Sequence, residues 1–125
     1  MGLGQTYANP RFGTPQIVSI AVEGADAAAN DELGRIRFFN KVKVLEARAV
    51  IGRTVGKGTT SAITVLKGTN SIGAIAISTN TEGTVVDASL TDTVFASTDD
   101  LVLQNVVETD TFTANIFIRY QDEFE

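Results

Sequence analysis

The run RIRFFNKVKVLEARAVIG, Arg35 to Gly52, constrains this chain more than any other stretch. Arg35, Arg37, Lys41 and Lys43 share one parity and Ile36, Phe38, Val42 and Val44 the other, the period of two of a strand buried on one face. Past Val44 the phase reverses: Leu45, Ala47, Ala49 and Ile51 become the apolar set, while Glu46 and Arg48 point away. A strand that keeps one face buried cannot absorb that reversal. The spacing therefore predicts a β-bulge, a bend or a crossing between sheets near Val44. Before the reversal one face is basic, and Phe39 sits on its parity, either as an exposed anchor or buried at a bulge.

The remaining apolar runs are also short and strand-like. Gln16 to Val22 follows Pro15 and is rich in Ile and Val. Gly24 to Gly34 reads as a loop or at most a helical turn. Ser61 to Leu66 and Ile72 to Ser78 flank Lys67-Gly68-Thr69-Asn70, which predicts a hairpin. Thr79 to Gly83 is a turn before a strand over Thr84 to Ala88. A polar connection, SLTDTVFASTDD, is anchored by Leu90 and Phe95. Leu101 to Val107 and Thr111 to Tyr120 alternate clearly, the latter with Phe112, Ala114, Ile116, Ile118 and Tyr120 on one side. About eight strands with no amphipathic helix predict an all-β antiparallel sandwich, jelly-roll-like. The 125 residues divide into an extended arm over 1–15, the sandwich over 16–120 and an acidic tail over 121–125.

Several chemistries are ruled out by composition. Without cysteine there are no thiolate nucleophiles, disulfides or thiolate metal sites, and without histidine there is no Ser-His-Asp arrangement. GRTVGKGTT, Gly52 to Thr60, invites comparison with a phosphate-binding loop. That loop needs four residues between its glycines, a hydroxyl after the lysine and a helix to follow. Here there are three, Gly58 follows Lys57, and a strand comes next. The stretch reads as a turn. Asp87, Asp92, Asp99 and Asp100 could in principle form a working carboxylate pair or hold calcium, but no spacing specifies either, and a solvated acidic rim is expected. The expectation is a protein without catalytic residues, cofactor or metal.

Charge is unevenly spread. Residues 1–67 carry nine basic and five acidic side chains, net +4, whereas 68–125 carry one basic and ten acidic, net −9. The overall charge of −5 lacks the basic footprint of a nucleic-acid binder, and no apolar run is long enough to span a bilayer. Two uses of the asymmetry stay open: a basic surface that docks on an acidic partner, or loops that merely happen to be acidic in one half.

Residues 1–15, MGLGQTYANPRFGTP, lack the apolar core of a secretory leader and read as part of the working protein. Gly, Pro and spaced Tyr7 and Phe12 suit an extended arm that pairs with a neighbour, or a frayed end. The candidate interface is Gln5, Tyr7, Pro10, Arg11 and Phe12 from this arm, with Arg35, Arg37, Phe39, Lys41 and Lys43 from the basic run.

The order of these features resembles the small β-sandwich decoration, or cement, proteins of tailed-phage heads. The likeness runs through the N-terminal arm, KVLEARAVIG, AITVLKGTNSIGAIAIS, TEGTVVDASL, TDTVFASTDDLVLQNV and TANIFIRY, roughly residues 40–120. It is a pattern of strands and turns. Where similar proteins often carry Gly-Asp before the penultimate strand, this chain has Thr98-Asp99-Asp100. The resemblance implies a virion structural protein on the exterior of the head, assembled in the host cytoplasm. Its partners would be the major capsid protein and further copies of itself in a homotrimer, with no nucleic acid or membrane. The alternative is a receptor- or glycan-binding module of a phage fibre, for which the absence of tryptophan is poor equipment.

Overall fold

Strands form where β-branched residues alternate with polar ones, and the computed structural model contains nine of them among the described residues, which are 14–24, 30–53, 62–77, 82–106 and 112–123. They are β1 Gln16–Glu23, β2 Glu32–Arg37, β3 Val42–Ile51, β4 Ala62–Lys67, β5 Asn70–Ala76, β6 Val85–Ala88, β7 Val94–Phe95, β8 Asp100–Asn105 and β9 Thr113–Asp122. One sheet has the order β1-β9-β3-β6, with β7 also on β3, and the other has β2-β8-β4-β5. Every pairing is antiparallel. The expected jelly-roll-like sandwich is the fold. Its chain passes back and forth between the sheets, so residues far apart in sequence become neighbours.

The inner faces fill the space between the sheets. Ile63, Ile75, Leu101 and Leu103 come from one sheet, Val44, Ala47, Ala49, Ile116 and Ile118 from the other, and Phe95 and Phe112 close the ends. Each large side chain buried in this way stabilises the fold by about 1.5–3 kcal/mol.

The chain shows both a crossing, which keeps the inward parity of Ile36, Phe38, Val42 and Val44, and a bulge, which reverses it to Ala47, Ala49 and Ile51. Residues 38–41 form no strand and carry the chain from β2 in one sheet to β3 in the other, with Phe38 buried at the crossing. Further on, Val44 pairs with Tyr120 but Glu46 with Arg119, so Leu45 is an extra residue in the ladder. Both the crossing and the bulge occur, six residues apart at their centres or less. The hairpin also forms as expected: β4 and β5 pair across Gly68 and Thr69, and Gly68 takes the positive φ of 62° that its turn requires.

Several boundaries differ from the sequence reading. Glu32 to Gly34, expected in a loop, begin β2, because β8 supplies a ladder partner that local propensity does not reveal. The polar connection contains the short β7, where Phe95 is buried and Val94 pairs with Lys43. Gln121 and Asp122, assigned to the tail, continue β9 opposite Lys43 and Val42. Finally, Gly52 and Arg53 extend the β3 side of the ladder, their backbones bonding to Thr113 at 2.7 and 2.8 Å. The rest of GRTVGKGTT, 54–60, lies outside the described residues, as does the arm over 1–13.

Candidate interaction surface

The two charge halves of the sequence are interleaved by the topology. Arg37 lies opposite Asp100 in the β2–β8 ladder, and its Nε donates to Oδ1 at 2.6 Å. Arg35 Nη1 donates to Oδ2 of the same carboxylate at 2.5 Å, while its Nη2 donates to Glu32 at 2.7 Å. Hydrogen bonds from Arg37 and then Arg35 hold the Asp100 carboxyl below the usual carboxylate range, against an opposing push from burial. Arg48 meets Asp87 at 2.6 Å, Lys67 meets Asp92 at 3.1 Å, Lys41 meets Glu123 at 3.6 Å, and Arg119 meets Glu46 at 2.6 Å. Each of these pairs joins a residue before position 68 to one after it. The asymmetry seen along the sequence is thus largely consumed within the fold.

This changes the basic face. Arg35 and Arg37 are on β2, Lys43 is on β3 in the other sheet, and Lys41 lies in the crossing between them. The four do not form one continuous cationic surface. Lys43 alone of the four is exposed without an ion pair among the described residues. Gln5, Tyr7, Pro10, Arg11 and Phe12 lie outside the described residues.

Phe39 is where the sequence reading and the surface meet. Its neighbour Phe38 turns inward, 4.8 Å from Tyr120 and 5.9 Å from Phe95 between ring centroids. Phe39 consequently turns outward and is wholly exposed. Beside it is a groove of about 250 Å³, walled by Gln16, Val18, Ile36, Arg37, Tyr120 and Asp122. Tyr120 is fixed there by donating its hydroxyl proton to Gln16 Oε1 at 3.0 Å. The groove lies where β1 and β2, the edge strands of the two sheets, meet the crossing. Gln16, Val18 and Asp122 were not singled out from the sequence. Their alternation identifies strands but not which strand edges come together.

The four aspartates considered as acid pairs have separate partners. Asp87, Asp92 and Asp100 are in the ion pairs above, and Asp99 accepts from the Ala96 amide at 2.9 Å, closing a turn. No group of three His, Cys, Asp or Glu side chains that could hold a metal ion occurs among the described residues.

Compared with known protein families the chain matches none, and no curated protein matches it.

Proposed function

We propose that this protein is a non-enzymatic virion structural protein, a capsid decoration protein that binds the outer surface of a tailed-phage head and ties neighbouring capsid subunits together. The observation that carries this reading is the contrast between a surface whose charges are mostly paired among the described residues and a rim that leaves Phe39 wholly exposed beside a groove of mixed polar and apolar lining. An aromatic held out of a packed sandwich contributes nothing to the core and suits an anchor in a partner's pocket. A jelly roll is a rigid frame for such contacts, and the resemblance in strand order gives them a setting.

A decoration protein needs only modest affinity at each contact. Copies linked through one another or through an inserted arm gain by effective concentration, and binding to the assembled shell stabilises it by mass action. Residues 1–15 supply the arm in this account and Phe39 the anchor, with Lys43 an exposed cation that can meet an acidic shell surface. Sedimentation with empty heads tests it: the protein should pellet with expanded shells saturably, and Phe39→Ser should weaken that binding.

One observation favours a second reading, a glycan-binding module. Phe39 offers a stacking surface next to Asn40 and Asp122, which also line the groove. A glycan screen in which Phe39→Ser abolishes a saturable signal, with no binding to shells, would favour it.

A further inference from the structure

The four sheet edges are not equally protected. An unpaired edge invites another strand unless charge, proline, a bulge or a covering segment prevents it. β5 is covered, because Thr91 donates its amide to the Ile72 carbonyl at 2.9 Å. β6 has only four residues and carries Asp87. β2 carries Glu32, Arg35 and Arg37 and is irregular between Glu32 and Gly34. β1 is the least guarded among the described residues: its one charge, Glu23, stands at its last position, and no proline, bulge or covering segment interrupts the rest. Its eight residues pair only with β9 among the described residues, and Gln16 to Val22 contain no charge and no proline. Ile17 at its start is 66% exposed, above a shallow hollow formed with Phe117 and Arg119.

We infer that the free edge of β1 receives residues 1–13 of a second copy of this chain as an added strand. A lone strand fits where a second sandwich does not. β2 runs beside β1, so close that a Cβ on Gly34 would stand 3.1 Å from Ile20 Cγ2, and continuing both sheets into another copy would require pairing the guarded β2 edge too. Length also suits. Thirteen residues reach at most about 43 Å when extended, more than the roughly 26 Å of an eight-residue strand. The donor segment carries one charged side chain, Arg11, and the groove at the end of β1 offers Asp122.

The donor comes from another copy for a steric reason. A two-residue hairpin back along its own β1 would put Thr14 and Pro15 at the turn, and such turns need a positive φ at their first central residue. Thr14 is β-branched and precedes proline, which favours an extended backbone there and disfavours that turn. Donor and acceptor surfaces differ, so the contact is heterologous and closes into a ring when the rotation permits.

The inference rests on reading residues 1–13 as an arm, and its test contains no capsid, so failure of shell binding and failure of this contact are separate results. Because the chain has no cysteine, single cysteines report contacts cleanly. Full-length Ser19→Cys is mixed with full-length Gln5→Cys, Tyr7→Cys or Asn9→Cys and oxidised. The expected result is a mixed disulfide dimer as the dominant product for at least one donor position, lost when a synthetic peptide of residues 1–13 is added in excess. Absence of a mixed dimer at all three positions would overturn the inference. So would a double variant that cross-links within one chain at high dilution, or Ser19→Cys that dimerises with itself as the main product.

Discussion

Arg37 and Asp100 stand directly opposite each other on β2 and β8, with Nε 2.6 Å from Oδ1, and through them the basic and acidic halves of the sequence meet. Asp100 is almost buried although it lies at the start of its strand, because Arg35 bonds its other carboxylate oxygen. Its pH behaviour follows. The carboxyl is lowered below its unfolded value of about 3.9, so the stabilisation it gives is present above that value and lost as pH falls through the lower folded value. Urea unfolding from pH 6 to pH 2 should show a falling midpoint in the wild type and a shallower fall in Asp100→Asn. Equal slopes would remove Asp100 from the acid response.

Lys43→Glu tests an exposed cation without disturbing an ion pair among the described residues. Stability should stay within about 0.5 kcal/mol. Affinity for an acidic shell should fall, and wild-type binding should weaken with added salt. Reversing Arg35 and Arg37 is a less clean probe, because it also gathers acids around Asp100 and should lower the urea midpoint.

Gly24 is required by contact and not by its backbone angle. A Cβ there would stand 2.3 Å from Phe112 Cε1, and Phe112 is buried in the core. Gly24→Ala should destabilise by about 1–3 kcal/mol through overpacking. Chemical denaturation measures it, and Gly24→Ala combined with Phe112→Leu should recover part of the loss relative to the sum of the two.

Phe39→Ser should separate association from folding. The side chain is wholly exposed, so unfolding should change by no more than about 0.5 kcal/mol. Binding to a partner should weaken clearly in the same protein. A large drop in melting temperature would mean that Phe39 packs on the sandwich in solution.

Deleting residues 1–15 should leave the melting temperature of the dilute, unassembled chain nearly unchanged, since the strand register begins at Gln16, and should weaken assembly. Collapse of the unfolding transition would place the arm in the core.

Period-two alternation carried the sequence reading as far as strand identity. It located the β4–β5 hairpin, the inward residues of β9 from Ala114 to Ile118, and the reversal that proved to be a bulge at Leu45. Alternation is a local property, and it cannot say which strands become neighbours. The same cations that looked like one basic face are split between two sheets, and their acid partners lie as far away as Asp100. β7 was missed because two residues hold no period, and the groove beside Phe39 was missed because it joins β1, β2, β9 and the crossing. The Phe38-Phe39 pair was the available signal: adjacent aromatics at a strand end must face opposite ways.

The most direct test of the capsid reading is co-sedimentation of the full chain with empty tailed-phage heads, compact and expanded, with and without residues 1–15. The account predicts saturable binding to expanded shells that depends on the arm and on Phe39. No binding to either form at any salt concentration would contradict it.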